Sequence, residues 1–291
     1  MKTTKHETNV GQYYADIWSM FAQWWCSEET LGLHYALYDH DAKTFKEATL
    51  NMNKYVGELL GLQQTKNMKI LDAGCGVGGT SMYLAQRFPN ASFKGITISP
   101  LQIELANHFV KEKQITNAEF TLKSFVDTGF ADNSFDGIFA LESITYAKNA
   151  NNVIDELHRV LKPGGKLVII DGLLNDVTLN SVMQKIYDDF CIARGFSDPP
   201  HLDDLEEYIR KKGFSNINHK DLSKQVAKSQ IRSFVIGLPY FIYINAKRLL
   251  SLGNYDPKRE FPRYSIGASV NATLIGSTGI ISYYSLTATK K

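Results

Sequence analysis

Residues 70–80, ILDAGCGVGGT, decide the fold of this chain. The first residues are apolar and typical of a buried β-strand, four of the others are glycines, and a helical pattern over Thr80–Arg87 follows. Glycine lets the backbone turn sharply and approach a ligand closely, because it has no Cβ atom. The stretch therefore predicts a strand, a ligand-binding turn and a helix, in that order.

The same alternation of strands and helices continues outward from this stretch. Apolar or β-type runs predict strands, helical periodicity predicts helices between them, and the Lys162–Gly165 turn is expected to end one helix. The predicted strands are Met68–Ala73, Ala91–Ile98, Ala118–Lys123, Phe135–Leu141, Lys166–Asp171, Ser215–Leu222 and Gly279–Ala288, and the predicted helices are Thr80–Arg87, Pro100–Lys113, Asn152–Leu161 and His201–Gly213. This order predicts an α/β fold with a parallel sheet flanked by helices.

Three segments fall outside the alternation and are predicted to be mostly helical. Residues 1–67 are unusually aromatic, and residues 174–200 and 223–263 interrupt the second half of the chain. We expect residues 1–67 to form a lid and residues 68–291 to form the core, with the two later segments as cap inserts over the strand ends. An apolar stretch with Gly and Pro in the second insert, residues 234–244, also suits contact with a membrane surface.

Composition excludes several classes of function. Lys and Arg number 32 and Asp and Glu 30, so the formal charge of +2 does not favour a nucleic acid partner. The three cysteines are far apart in sequence, which points to a reducing compartment and to no zinc site. Since residues 233–246 are too short and residues 264–289 too polar for a membrane-spanning helix, we expect a cytoplasmic protein.

The glycine-rich turn by itself fits more than one nucleotide. Gly74, Gly76 and Gly79 have the GxGxxG spacing of dinucleotide-binding folds. Asp72, however, would repel a pyrophosphate and suits a cationic ligand. The neutral Thr97 stands where a nicotinamide fold usually places an acid for the ribose. An NAD-dependent oxidoreductase is therefore the disfavoured alternative.

Four motifs together resemble the class I S-adenosylmethionine (SAM) dependent methyltransferases. They are LDAGCGVGGTS at 71–81, GITISPLQ at 95–102, FADNSFDGIFALES at 130–143 and HRVLKPGGKLVIID at 158–171. The first two, with the LES segment, resemble the subgroup of tocopherol, sterol and prenyl-diphosphate methyltransferases. The resemblance implies a Rossmann-like seven-stranded sheet, mostly parallel with an antiparallel last strand, together with a helical lid or cap.

The resemblance also implies a SAM site. Asp72, Gly74, Cys75 and Gly76 would surround the methionine part of SAM, with Asp72 supporting its ammonium group. Thr97, Ile98 and Gln102 would meet the ribose and adenine. Ser124 would bond the adenine amine, Phe125 would cover the ring, and Leu141 is a further cofactor-binding candidate.

The acceptor site is predicted from residues near the end of the fourth strand and in the N-terminal segment. Glu142 directly follows that strand and is the best candidate for catalysis, with Tyr146 and His34 as further candidates. Aromatic faces stabilise cations and line apolar pockets. The aromatic candidates for the pocket are Tyr13, Tyr14, Trp24 and Tyr38.

We therefore expect a SAM-dependent methyltransferase acting on a hydrophobic small molecule, with C-methylation of an isoprenoid-like acceptor favoured. O-methylation of a quinol or phenol and N-methylation of a small amine remain alternatives, as does a non-catalytic SAM-binding protein. No metal site is predicted, and Mg²⁺ would be needed only for a diphosphate acceptor. The sequence does not set the oligomeric state.

Overall fold

A seven-stranded sheet lies at the centre of this computed structural model, which describes residues 5–39, 42–195, 199–251 and 254–291. The strands are β1 (Lys69–Ala73), β2 (Ser92–Thr97), β3 (Ala118–Leu122), β4 (Phe135–Leu141), β5 (Leu161–Leu174), β6 (Phe214–Asp221) and β7 (Ile281–Lys290), in the spatial order β3-β2-β1-β4-β5-β7-β6. β7 is antiparallel to both of its neighbours, and the other pairs are parallel. The predicted fold class is confirmed.

Helices cover both faces of this sheet. The helices of the core are α2 (Phe45–Leu60), α3 (Gly79–Arg87), α4 (Pro100–Glu112), α5 (Ala150–Val160) and α7 (Leu202–Lys211). Buried side chains of α2, α3 and α4 form one apolar cluster with one face of the sheet, and those of α5 and α7 form a second cluster with the other. The apolar, doubly covered strands explain why the sequence shows near-continuous hydrophobic runs there.

The predicted turn at residues 162–165 lies inside the bounds of β5. Leu161 already pairs with Phe135, and the register then shifts before Gly137 pairs with Lys166. The strand thus starts five residues earlier than predicted, because the turn is accommodated as an irregularity in the ladder.

The remaining helices lie outside the core. The first of them, α1 (Lys5–Trp24), contacts α4. The other four helices form a second group with two apolar clusters of its own: α6 (Ser181–Arg194), α8 (Ser223–Leu250), α9 (Phe261–Gly267) and α10 (Ser269–Ser277). α10 lies beyond the predicted inserts. Parts of the predicted lid and inserts, at residues 1–4, 40–41, 196–198 and 252–253, lie outside the described residues.

The surface of α8 carries a row of exposed apolar side chains. Ile231, Val235, Leu238 and Ile242 are each more than a third exposed, at spacings that place them on one side of a helix. No helix within the described ranges is both long and apolar enough to span a bilayer.

Candidate active site

A cavity of about 350 Å³ opens at the carboxyl ends of β1, β2, β4 and β5. This edge of an open α/β sheet is where ligands bind. Most of the site residues predicted from the sequence line it: Asp72, Gly74, Cys75, Gly76, Thr97, Ile98, Gln102, Phe125, Leu141, Glu142, Tyr146, His34, Tyr14 and Trp24. The structure therefore brings residues from four strand ends and from the N-terminal segment together around one space.

Two glycines shape the turn between β1 and α3. Gly74 has φ 99° and Gly76 has φ 53°, a region that residues with a Cβ atom rarely adopt. A Cβ atom on Gly74 would lie 2.3 Å from Cβ of Ser143, and one on Gly76 would lie 3.0 Å from Cδ1 of Leu33. Glycine is therefore required here both by the backbone angle and by the surrounding side chains.

Asp72 places a buried carboxylate beside this turn. Its Oδ2 accepts a hydrogen bond of 2.7 Å from the hydroxyl of Ser81. Burial raises the pKa of Asp72 to about 7, and the bond from Ser81 only partly opposes this. A cation bound in the cavity would favour the ionised form, so the carboxyl group is suited to an ammonium group.

The end of β2 supplies a pair of polar side chains. The hydroxyl of Thr97 donates a hydrogen bond of 2.7 Å to Oε1 of Gln102, and both residues are buried and line the cavity. The bond fixes the Gln102 amide. Its NH₂ group is a donor of the kind that a ribose hydroxyl or a ring nitrogen accepts.

The structure differs from the sequence expectation at Ser124. Its hydroxyl does not line the cavity, because it donates a hydrogen bond to Oε1 of Glu7. Glu7 belongs to α1 and does line the cavity, so its carboxylate stands where Ser124 was expected to act. Glu7 was not predicted from the sequence, because more than a hundred residues separate it from Ser124.

The helix α1 lies over the strand ends of this part of the site. A Cβ atom on Gly11 would be 3.2 Å from the carbonyl oxygen of Ile98, so helix and turn are in close contact. Nε2 of His6 lies 2.8 Å from the carbonyl oxygen of Tyr146 and donates to it. One helix therefore covers the Ile98 side and the Tyr146 side of the cavity together.

Glu142 is held in a specific orientation. It has φ 48°, an uncommon angle for a residue with a side chain, and such outliers are concentrated at functional sites. Its Oε1 accepts hydrogen bonds of 2.6 Å from the Tyr35 N–H and from the Tyr283 hydroxyl. Oε2 makes no hydrogen bond with the described residues, so it is the carboxylate oxygen available to a ligand.

The environment of Glu142 also sets its protonation. Burial raises its pKa to about 7, with the bonds from Tyr283 and Tyr35 opposing the effect. Burial likewise raises the pKa of the Tyr283 hydroxyl well above its ordinary value, so Tyr283 remains a donor near neutral pH. Glu142 is therefore poised between its ionised and protonated forms at the pH at which a general base works best.

A second buried acid, Asp171, fixes the turn that follows Glu142. Its Oδ2 accepts hydrogen bonds from the backbone N–H groups of Ile144 and Thr145, and the Thr145 hydroxyl donates to the same carboxylate. The 3₁₀ turn Ile144–Tyr146 is thereby tied to the end of β5. Asp171 was predicted only as the last residue of a strand, and its role in positioning this turn was not predicted from the sequence.

Aromatic rings form part of the cavity wall. The ring centroids of Tyr14 and Tyr146 are 5.4 Å apart, and those of Tyr35 and Tyr283 are 5.7 Å apart. Trp24 and Trp25 also line the cavity. These rings suit an apolar or cationic group.

Two of the predicted pocket residues lie outside the cavity wall. Tyr13 is buried, and its hydroxyl lies 3.1 Å from Oγ of Ser265. The ring of Tyr38 faces the ammonium group of Lys228, 5.3 Å away. Packing between the N-terminal segment and the cap accounts for both positions.

His34 lines the cavity, but both ring nitrogens are engaged. Nδ1 donates to the carbonyl oxygen of Tyr35 at 3.0 Å, and Nε2 lies 3.0 Å from Oδ1 of Asn53. Burial lowers the pKa of the ring. These contacts fasten the N-terminal segment to α2, so Glu142 is the better placed proton acceptor.

Arg194, at the end of α6, also lines the cavity and was not a candidate in the sequence analysis. Its Nη2 donates a hydrogen bond of 2.9 Å to Oγ of Ser269. Its Nε is buried and has no hydrogen-bond partner in the described part of the chain. Among the described residues, no cluster of three or more His, Cys, Asp or Glu side chains is arranged to hold a metal ion.

The profile of the protein family described as "Methyltransferase domain" matches residues 64–224, which is more than half of the chain. The sterol 24-C-methyltransferase erg-4 of Neurospora crassa is 28% identical over 229 residues, covering 76% of this chain and 57% of that protein. The chain spans about half the length of the curated sterol methyltransferases that it matches.

Two solved structures share the fold over nearly their full lengths. A geranyl diphosphate C-methyltransferase from Streptomyces coelicolor, in complex with Mg²⁺, geranyl-S-thiolodiphosphate and S-adenosylhomocysteine (SAH), has a TM-score of 0.75 at 15% identity and covers 100% of each chain. The [4+2]-cyclase SpnF has a TM-score of 0.74 at 20% identity, covering 98% of this chain and 96% of the other. A methyltransferase and a cyclase thus share one fold, and the reaction must be argued from the site.

Proposed function

Because the chain belongs to the methyltransferase-domain family, we propose that it transfers a methyl group from SAM to a carbon atom of a hydrophobic, isoprenoid-like molecule. The observation that carries the proposal is Glu142, whose carboxylate faces an apolar, aromatic cavity beside the glycine turn. The sterol and geranyl diphosphate C-methyltransferases that the chain resembles support an unsaturated hydrocarbon as acceptor.

The residues around the glycine turn fit SAM. The backbone at Gly74 and Gly76 is open to a close approach, and Asp72 offers a carboxylate to the ammonium group of the methionine part. Gln102 would bond the ribose, and Glu7, held by Ser124, would accept from the adenine amine. When bound, SAM supplies a methyl group carried on a sulfonium.

The pH dependence of cofactor binding tests the role of Asp72. With a pKa of about 7 in the free protein, most Asp72 carboxyl groups are protonated below pH 7, and each must lose its proton before it attracts an ammonium group. SAH affinity should therefore rise with pH up to about 7, by up to about tenfold per unit below that value, and then level off. Titration calorimetry at several pH values measures this.

The Asp72→Asn variant is the control for this prediction. It should bind SAH more weakly at neutral pH, and its affinity should lose the rise toward pH 7. The same pH dependence in wild type and Asp72→Asn would assign the titration to another group.

On the acceptor side, the cavity provides what methylation of an alkene requires. Addition of a methyl group to a carbon–carbon double bond leaves a carbocation, which a carboxylate and aromatic faces stabilise. Oε2 of Glu142 can then take the proton from the neighbouring carbon, which restores a double bond. Tyr35 and Tyr283 hold Oε1, so the carboxylate does not need to reorganise during the reaction.

O-methylation of a phenol or quinol is the second candidate, and the raised pKa of Glu142 favours it over an amine acceptor. A carboxylate of pKa about 7 is a stronger base than an ordinary one and would accept a phenol proton. The position of the transferred methyl group separates the two candidates, since a C-methyl group survives ether cleavage and an O-methyl group does not.

The direct experiment uses methyl-deuterated SAM. The protein is incubated with it and with cell extracts or prenyl compounds, and mass spectrometry identifies the labelled products and the labelled atom. A deuterated methyl group on carbon is expected. Label found only on oxygen or nitrogen would refute the C-methylation proposal, and no labelled product with intact SAH binding would favour a SAM-binding protein without this activity.

We also propose that α1 closes over the site. The contacts of Gly11 with Ile98 and of His6 with Tyr146 place this helix over the strand ends.

Hydrogen exchange across Lys5–Trp24 should slow when SAH binds, because the ligand adds contacts beneath the helix. Exchange in α7, which packs against α5 and β6, serves as the control and should not change. Equal hydrogen-exchange rates in α1 with and without SAH would show that α1 is a fixed part of the fold and does not close over the site.

Contact with a membrane surface and a cytoplasmic location remain predictions. The exposed row on α8, which includes Ile231 and Val235, supports the first, because a hydrophobic acceptor dissolved in a membrane would be reached from such a surface.

A further inference from the structure

Arg194 is a cation in the aromatic part of the cavity, near Tyr35 and Tyr146. A basic side chain in the last turn of a helix commonly extends into solvent, where it also favours the helix dipole. Arg194 instead lines the cavity wall, with Tyr13, Tyr35 and Tyr146 as its electrostatic neighbours. Burial raises the pKa of the Tyr146 hydroxyl well above its ordinary value, so Tyr146 stays neutral and does not compensate the guanidinium near neutral pH.

The charge of Arg194 is not paired within the described part of the chain. No carboxylate there lies within 4 Å of its guanidinium nitrogens, and its Nε is a buried donor without a partner. Arginine keeps its charge in proteins, and a buried charge without a counterion is costly. By contrast, Arg248 on the neighbouring helix α8 is paired with Asp189 at 3.0 Å. An anion that the described residues do not provide would satisfy Arg194.

We propose that Arg194 binds a carboxylate on the acceptor, so that the acceptor is an unsaturated isoprenoid acid. This inference rests on the proposed function and narrows its substrate class. The guanidinium fork offers the parallel donors that a carboxylate accepts. The single guanidinium at this point of the wall matches one carboxylate, and the diphosphate is kept as a competing probe in the test below.

The arrangement also orients the acceptor. Arg194 and Glu142 act on each other electrostatically without forming an ion pair, so they mark two separate points of one cavity. The acid end of the acceptor lies at Arg194, and the double bond that receives the methyl group lies at Glu142. The acceptor's negative charge compensates the guanidinium, which would otherwise oppose a carbocation in the same cavity.

Three probes with the same 15-carbon chain test the proposal: farnesol, farnesoic acid and farnesyl diphosphate. Binding of each to SAH-saturated protein is measured by calorimetry. Farnesoic acid should bind at least about tenfold more tightly than farnesol. The preference should be lost in Arg194→Met, reduced in Arg194→Lys, and kept in Arg87→Met, which removes an exposed arginine outside the cavity.

Several results would overturn the proposal. These are equal binding of farnesol and farnesoic acid by the wild type, tighter binding of the diphosphate, and a preference that survives in Arg194→Met. A loss of SAH affinity in Arg194→Met without any probe would assign the anion to the cofactor's own carboxylate. Methyl transfer from labelled SAM is scored separately, so that failure of the anion site and failure of the methyltransferase proposal are distinguishable.

A measurement without any acceptor gives an independent test. If Arg194 is an unpaired cation that waits for a ligand, replacing it by the apolar Met should raise the melting temperature of the ligand-free protein. A lower melting temperature in Arg194→Met would show that the guanidinium is part of the folded scaffold and would contradict the proposal.

Discussion

Glu142→Gln should lower turnover by about 10²-fold or more while leaving SAH affinity nearly unchanged. The substitution keeps the size of the side chain and its ability to accept from Tyr35 and Tyr283, but removes the negative charge. The charge is what stabilises a carbocation and accepts its proton. Single-turnover kinetics with methyl-labelled SAM and the identified acceptor measure the chemical step, and calorimetry measures SAH binding.

The pH profile shows whether Glu142 acts directly. Since its pKa is about 7, the rate should rise through that pH in the wild type, and this limb should be absent in Glu142→Gln. Tyr283→Phe should move the limb to higher pH, because the hydroxyl lowers the pKa of Glu142. Glu58 is an exposed residue of α2, and Glu58→Gln should leave the rate and its pH profile unchanged. Full activity of Glu142→Gln would remove the carbocation mechanism and leave the family assignment standing.

Gly76→Val should weaken SAH binding by at least about 10²-fold. The backbone at Gly76 has φ 53°, which a β-branched residue adopts only with strain, and the side chain would meet Leu33 and project into the cofactor part of the cavity. Calorimetry with SAH measures the loss, and NADH serves as the competing ligand. NADH binding in the wild type with no SAH binding would overturn the cofactor assignment.

Gly164→Val is the matched control for backbone strain. Gly164 has φ 77°, and a Cβ atom there would meet no atom within 4 Å. It does not line the cavity, so the variant should lose stability, by roughly 1–2 kcal/mol, and keep its SAH affinity. Similar losses of affinity in both variants would show that strain alone, and not the occupied cofactor space, explains the effect at Gly76.

The core of the fold was predictable because its signals are local. The central strands β1 and β4 are short, mostly buried apolar runs, and the glycines of the turn themselves indicate its unusual backbone angles. The cavity-lining residues on this turn and at the ends of β2 and β4 could be predicted for the same reason. Ligands bind at the carboxyl edge of such a sheet, so position along the strand was enough.

The missed residues reach the site through long-range topology. Tyr283 contacts Glu142 because β7 inserts between β5 and β6 and pairs Tyr283 with Gly172, just beyond Asp171. Glu7 and Arg194 reach the cavity from two other elements, α1 and α6. Nothing in the local sequence around a tyrosine, a glutamate or an arginine signals which distant segment it will meet. Only the three-dimensional structure, with its strand pairing and the positions of its helices, places these residues at the cavity.

The position of α1 has a consequence for the order of events in catalysis. The same helix rests on Ile98, beside the proposed cofactor space, and on Tyr146, beside the proposed acceptor space. If α1 opens as proposed, its undocking would open both spaces in one movement, so spent cofactor could not be exchanged while the acceptor stays enclosed. Repeated methylation of one molecule would then be distributive, with the singly methylated product released to solution and captured again before each further transfer.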